Sequence, residues 1–305
     1  MQKLREKLYR YRMKYSDRMF DAFNIIFMCI LALVFIWPLW FVVIAAVSDP
    51  IQVNIGNVLL WPKGFTIDSF IETLKYSLIW SGYGNTIFYT VVGTCLNIVM
   101  TVCAAYPLSR SDFMARKFVF YLLLITMYFG GGLIPTYMVV RNLGLVNTRW
   151  AMIIPGACSV YNVIITRTYF RTSIPESLFE AATLDGANSF QYLMKIVLPL
   201  SKPILAVIAL YYAVGHWNDY YTALIYLRDN DLLPLQSVLR DLLLSNKILG
   251  EQGGFNMSEE VERRRLLALT MRYSTIIIST LPVLVIYPFV QKYFVKGVMI
   301  GSVKE

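Results

Sequence analysis

Long apolar runs alternate with short polar segments along the whole chain, and six runs approach the ~20 predominantly apolar residues that a helix needs to cross a hydrocarbon core. They fall at Phe23–Val47, Tyr83–Leu108, Phe118–Val140, Trp150–Tyr169, Ile204–Leu227 and Met271–Phe294. Within each run the apolar positions go nearly all round the helix instead of forming one stripe, as suits helices surrounded by lipid and by one another. The pattern predicts an all-α polytopic membrane protein with six transmembrane helices. Without repeats, low-complexity linkers or composition shifts, a single domain over residues 1–305 is expected. The first run is about 25 residues long, beyond the 7 to 15 of a cleaved signal segment, so it reads as a retained helix.

Between the fourth and fifth runs the period changes. Ser173 with Glu176 forms a capping-box pair, and Pro175 sits where a missing N–H costs little, so a short helix is expected from about Ile174. Gly186 should close it, because glycine enters the left-handed region most cheaply. Asn188 and Gln191 form a second box. After it Phe190, Leu193, Met194 and Val197 make one apolar stripe, ended by Pro199. Segment 173–200 therefore reads as a helix, turn, helix protrusion. On it Ala181 and Ala182 would let a partner surface approach closely, and Glu180 would offer one charge to a cationic group. Ser69 with Glu72 is a further capping pair, before Phe70, Ile71 and Leu74. It predicts a short helix lying on the membrane surface or against a partner.

Composition supports the membrane reading: 57% of residues are hydrophobic and 15% charged, against about 25% charged in soluble domains, and the mean hydropathy is +0.55. Lys3, Arg5, Lys7, Arg10, Arg12, Lys14 and Arg18 crowd ahead of the first run, which puts residues 1–22 in the cytoplasm. With six crossings both termini and the 173–200 protrusion are then cytoplasmic, and seventeen of the 28 basic residues lie on that side. Arg263, Arg264 and Arg265 fall outside, against the rule; with Glu259, Glu260 and Glu262 beside them and Asn256 as a cap, they read as a surface helix entering the sixth span. The net charge of +9 flanks spans, so it implies contact with anionic membrane lipids and not with nucleic acid.

Catalytic equipment is sparse. His216 is the only histidine, and no G-x-x-x-x-G-K-[ST] loop occurs, so the chain does not hydrolyse ATP by a Walker-type mechanism. Cys29, Cys95, Cys103 and Cys158 lack metal-ligand spacing and read as small buried packing residues. Gly130–Gly132 with Pro135 should kink the third span, and Gly250 to Gly254 should form a turn. Asp219 lies inside the fifth span, where an ionisable group costs ~3 kcal/mol or more unless it faces partners or water. With His216, Trp217, Asn218, Tyr220 and Tyr221, and with Tyr161, Asn162, Asn85 and Asn97 from neighbouring spans, two readings stand open: the wall of a sugar pathway, or hydrogen bonding between helices.

The order Glu180-Ala181-Ala182, three residues, Gly186, nine residues, Ile196-Val197-Leu198-Pro199 resembles the coupling signature of permease subunits in bacterial ABC importers. Phe129–Tyr137, Leu143–Asn147, Trp217–Asp219, Pro234–Gln236 and Tyr293–Gly301 narrow the resemblance to the type I carbohydrate permeases of the maltose-importer kind, within them the LplC/YtcP-like group, over residues 15 to 305. The resemblance implies a bacterial plasma-membrane subunit forming half of a pathway for an oligosaccharide, with a second, related permease as partner. A cytoplasmic ATPase dimer would bind ATP and magnesium, leaving no cofactor on this chain, and an extracellular lipid-anchored binding protein would deliver substrate. It further implies that Glu180, Ala181, Ala182, Asp185, Gly186, Ile196, Leu198 and Pro199 meet the ATPase, and that the tail from Lys296 to Glu305 touches it too. In the maltose-type importer the sugar site belongs mainly to the other permease. A permease for another solute and a membrane-embedded glycan or lipid transferase using Asp219 are the alternatives.

Overall fold

The computed structural model describes the backbone of residues 2–251 and 259–302, and the side chains of residues 19–244 and 265–288 apart from 286. The chain divides into two compact units, Met1–Thr73 with Ser245–Ile277, and Leu74–Leu244 with Ile278–Glu305. Among the described residues every regular element is helical; extended pairing is confined to one isolated antiparallel bridge, Ser48 with Phe65.

In the first unit α1, Gln2–Ala46, carries the basic segment and the first apolar run on one helix. From Met19 to Trp40 almost every side chain on it is exposed, large apolar ones included, a surface that water does not cover favourably. Asp49 then caps α2, Pro50–Asn54, by accepting from the Ile51 N–H at 2.8 Å, with proline where a helix start tolerates it. Next comes α3, Asp68–Lys75. Its predicted cap is displaced: Thr66 Oγ1 accepts from the Asp68 N–H at 3.2 Å. Ser69 is buried within the helix, its hydroxyl 3.1 Å from that of Thr270, and Thr73 pairs likewise with Ser274 at 2.8 Å. Phe41 meets the ring of Tyr273 edge-on at 5.7 Å over buried Ala45 and Ala46.

The second unit is built on α4, Ser77–Ser109, a long apolar helix. Two of the expected continuous spans are broken beside it. The third separates into α5, Arg116–Tyr128, and α6, Leu133–Asn142, bent by 114° about Gly130–Gly132, a sharper change than a kink. Of the fourth, only α7, Val160–Ser173, is α-helical; a 3₁₀ turn at Arg149–Met152 and an irregular stretch through Pro155 and Gly156 occupy the rest, since proline removes a helical donor. Segment 173–200 follows, as α8 (Glu176–Leu184), α9 (Ser189–Tyr192), a π turn (Leu193–Val197) and α10 (Leu198–Leu200).

The fifth apolar run is also interrupted. It holds α11, Lys202–Trp217, and α12, Tyr221–Tyr226, with the break at Asn218–Tyr220. The Asp219 carboxylate accepts from the Thr222 N–H at 3.0 Å in the first turn of α12, so a half-buried polar residue sets the interruption. Helices α4, α7 and α11 enclose the main core, in which Val102, Val163, Phe170 and Ile208 are buried.

Beyond lie α13, Leu235–Glu251, and α14, Glu259–Ser302, which carries the sixth run and the Arg263–Arg265 stretch on one helix. Gly250 is still helical, so the turn expected there does not begin before Glu251; its remainder, and the Asn256 cap, lie outside the described residues, as do the side chains of the tail from Lys296. Among the described residues, three helices can cross a membrane by length and composition, or up to five if each sharply bent pair counts once. The four cysteines are free and exposed on the chain's surface, not packed inside it.

Candidate functional site

The 173–200 segment forms an elbow whose shape follows from two caps. At the end of α8 the Ala187 N–H donates to Ala182 O at 2.9 Å and the Gly186 N–H to Thr183 O at 3.0 Å, the paired bonds of a Schellman closure. Gly186 has φ +79°, the left-handed conformation that closure requires. Two residues on, Asn188 begins the expected capping box with Gln191, with bonds of 2.8 and 3.1 Å. The expected Ser173 cap does not form: α7 runs through Ser173, α8 starts behind Pro175, and Glu176 accepts instead from Ser111 Oγ. Nor does Pro199 end the second helix. It sits at the start of α10, where its missing N–H costs little, and the chain turns at Ser201 by 81° into α11.

The elbow is locked to the loop after α4 by stacked side chains. Phe179 meets Tyr192 edge-on at 5.1 Å, and the Arg110 guanidinium lies 3.4 Å above the Phe179 ring while pairing with Asp112 at 3.2 Å. Tyr106 adds a hydrogen bond from its hydroxyl to Ser189 O at 3.2 Å. Burial pushes the Tyr192 hydroxyl pKa up; the charge of Arg110 opposes the rise and that of Glu176 adds to it.

This packing divides the signature residues. Ala182 is buried, and Ile196 and Leu198 pack against the main core, so these three hold the elbow to the bundle instead of presenting a surface. Glu180, Ala181, Asp185, Gly186 and Pro199 are exposed. The predicted stripe also splits: Leu193 and Val197 are buried, whereas Phe190 and Met194 face outward. Together with Leu184, 90% exposed, they leave the elbow with bare apolar side chains among its charges. Leu184 carries no motif signal in the sequence, and Phe190 was read there only as part of the stripe.

A second feature is a cavity of about 720 Å³ lined by Asn97, Gly130–Gly132, Tyr212, His216, Asp219 and Tyr226 among others. His216 Nε2 lies 3.2 Å from Asn97 Oδ1, and Asn97 Nδ2 donates to Gly156 O at 2.8 Å, joining α11, α4 and the irregular stretch before α7. Tyr212 shares a hydroxyl bond of 2.7 Å with Thr101 and accepts from the Ser159 N–H. The ring of Tyr226 stacks on that of Tyr137 at 5.9 Å, nearly parallel. Below it the left-handed Asn147, φ +62°, donates to Tyr226 O and accepts from the Arg228 and Asp229 N–H groups.

Of the residues expected to line a pathway, Asn97, His216, Asp219 and Tyr221 reach this cavity. Trp217 is buried against Tyr83, with Nε1 donating to Ser279 O at 3.4 Å. Asn218 turns back to Val214 O. Tyr220 is exposed beside a separate cavity of about 160 Å³, Tyr161 is exposed, and Asn162 is buried in the first turns of α7. Asn85 serves helix packing, donating to Asp231 O and Leu233 O. Tyr221 was singled out by sequence; the other lining tyrosines of α11 and α12, Tyr211, Tyr212 and Tyr226, and the glycines of the α5–α6 bend were not, because their spacing is that of ordinary helix faces.

An all-helical chain with lipid-length apolar helices, a polar interior cavity and a rigid exposed elbow defines a membrane transport subunit. No protein-family model matches the chain. It is similar to the polygalacturonan/rhamnogalacturonan transport system permease protein YtcP of Bacillus subtilis, 38% identical over 95% of this chain and 99% of that protein. Protein LplC of the same organism is 37% identical over 95% and 96%. A chain in the crystal structure of a bacterial ABC transporter involved in the import of the acidic polysaccharide alginate matches with a TM-score of 0.82 and 35% identity, covering 92% of this chain and 98% of that one. The chain belongs to the carbohydrate ABC transporter permeases, as a multi-pass, non-catalytic subunit in a bacterial membrane that binds no cofactor and works with a partner permease, an ATPase and a binding protein.

Proposed function

We propose that the chain acts as one six-span domain, with both termini and the elbow in the cytoplasm, and forms half of the pathway in a heterodimer with a second permease. The sixth crossing comes from counting the α7 region with its irregular approach as a span, which the hydrogen bond from Asn97 Nδ2 on α4 to Gly156 O supports. Glu180, Ala181, Asp185 and Gly186, with Leu184 and Phe190, meet a groove on an ATPase subunit, while Ala182, Ile196 and Leu198 transmit the load into the core. The observation that carries this reading is an exposed apolar tip on an elbow held at both ends by caps and an aromatic lock: rigid enough to move helices, bare enough to need a partner. The substrate is delivered by an extracellular lipid-anchored binding protein and passes Asp219, His216 and the lining tyrosines. We read it as a uronate-containing oligosaccharide, because two of the similar proteins are named for acidic glycans.

The complete importer in proteoliposomes tests both parts. Uptake of oligogalacturonate should exceed that of a neutral oligosaccharide of equal length, and Glu180→Lys should abolish uptake while ATP hydrolysis loses its dependence on substrate. Normal uptake in that variant would sink the coupling role; preference for the neutral sugar would sink the substrate class alone.

A further inference from the structure

The loop between α4 and α5 and the entry to the elbow enclose a second cavity of about 490 Å³. Its walls carry Arg110, Arg116 and Arg171 against one carboxylate, Glu176. Arg110 is committed to Asp112 and to the Phe179 ring, and Glu176 to Ser111. The other two guanidiniums are underused. Arg116 gives one N–H to Arg110 O at 3.2 Å, and Arg171 has no hydrogen bond or ion pair among the described residues. Arg167, held to Leu108 O at 2.9 Å, sits close enough to both for their charges to oppose its own. An arginine does not relieve such repulsion by losing its proton.

The hydroxyls around the rim are already spent. Ser109 Oγ donates to Tyr106 O, Thr172 Oγ1 to Thr168 O, and the Tyr106 hydroxyl to Ser189 O. The floor is apolar, with Phe170, Ile174 and Val197 buried. Apart from the Tyr192 hydroxyl, which lines the cavity without a hydrogen bond among the described residues, the free donors are the planar forks of Arg116 and Arg171, which suit an anion with several acceptor oxygens on one centre. The volume exceeds that of a bare ion and leaves room for a small organic group over the apolar floor.

We propose that this cavity binds a phosphate ester, which bridges the start of α5 and the end of α7 to the entry of the elbow and so stiffens the joint. The role in the joint rests on the reading of the elbow as the ATPase-facing element; the binding itself does not. An anionic lipid headgroup and a soluble phosphorylated metabolite share this chemistry.

The test uses the complete importer in nanodiscs of phosphatidylcholine, with or without phosphatidylglycerol, and with glycerol 3-phosphate added to the former. Native mass spectrometry counts bound ester and verifies assembly, while ATP hydrolysis is followed in parallel. Wild type should retain ester, and Arg171→Gln, which removes no hydrogen bond or ion pair among the described residues, should weaken retention roughly tenfold, the effect of one lost charge-assisted hydrogen bond. Arg171→Lys should keep part of it, and Arg116→Gln should repeat the loss. Retention confined to phosphatidylglycerol discs identifies a lipid headgroup; binding of glycerol 3-phosphate identifies a soluble ester. Equal retention by wild type and both glutamine variants, or binding of neither probe, overturns the proposal, including the case in which the ATPase itself fills the cavity. Ester binding without any effect of Arg171→Gln or Arg116→Gln on ATP hydrolysis would sink the joint and leave the site.

Discussion

Gly93 on α4 lies directly under the imidazole of His216 on α11: a Cβ added there would fall 2.7 Å from Cε1 and closer still to Nε2. The missing side chain lets the two helices approach and lets His216 reach Asn97. Gly93→Ala should therefore cost ~1–3 kcal/mol, the usual penalty for overpacking. His216→Ala in the same background should recover much of it. A double-mutant cycle on the thermal midpoint of the purified importer checks this; additive losses would show that the two residues do not share one space.

Within this chain Gly186 needs its backbone conformation, not its small size, since no atom of the chain lies within 4 Å of an added Cβ. Asn, which tolerates the left-handed region, should support near-normal uptake in Gly186→Asn. Gly186→Val should lose coupling, because a β-branched residue at φ +79° costs at least ~1–2 kcal/mol and opens the Schellman closure. Uptake and substrate-stimulated ATP hydrolysis, measured together, distinguish the two variants.

Arg110 has two bonding modes of unequal worth. Its ion pair reaches an exposed Asp112 and contributes little, whereas its stacking on Phe179 is largely shielded from water and is worth ~1–2 kcal/mol. Arg110→Ala should raise hydrogen exchange across 176–192, and Asp112→Ala should leave it nearly unchanged. Equal effects would assign the lock to the ion pair.

Asp219 combines a structural bond with a place in the large cavity. Asp219→Asn keeps an acceptor for the Thr222 N–H, so its thermal midpoint should match wild type. Asp219→Ala should lose ~1 kcal/mol, as for a lost helix cap. If the carboxylate also meets substrate, the asparagine variant should show a raised KM for uptake with assembly intact. An unchanged KM would confine Asp219 to setting the α11–α12 break.

Much of this protein was legible in its order of residues. Apolar length identified the membrane helices around α1, α4 and α14, because the cost of exposing apolar groups to water, or peptide groups to lipid, is read residue by residue. Gly186 and the Asn188–Gln191 box were equally legible, since capping is settled within one turn of chain. Hydropathy does not report breaks, so the interruption at Asp219 appeared in sequence as a continuous span, and at Gly130–Gly132 the glycines and Pro135 signalled a kink but not its 114° angle. Ser69 was misassigned as a cap because its partner, Thr270, is two hundred residues away. What only the tertiary structure decided was which signature residues point outward. Ala182 and Ala181 are adjacent and alike, yet the core formed by α4, α7 and α11 buries the first and leaves the second bare. That choice depends on packing between elements distant in sequence, whereas capping and hydropathy act locally.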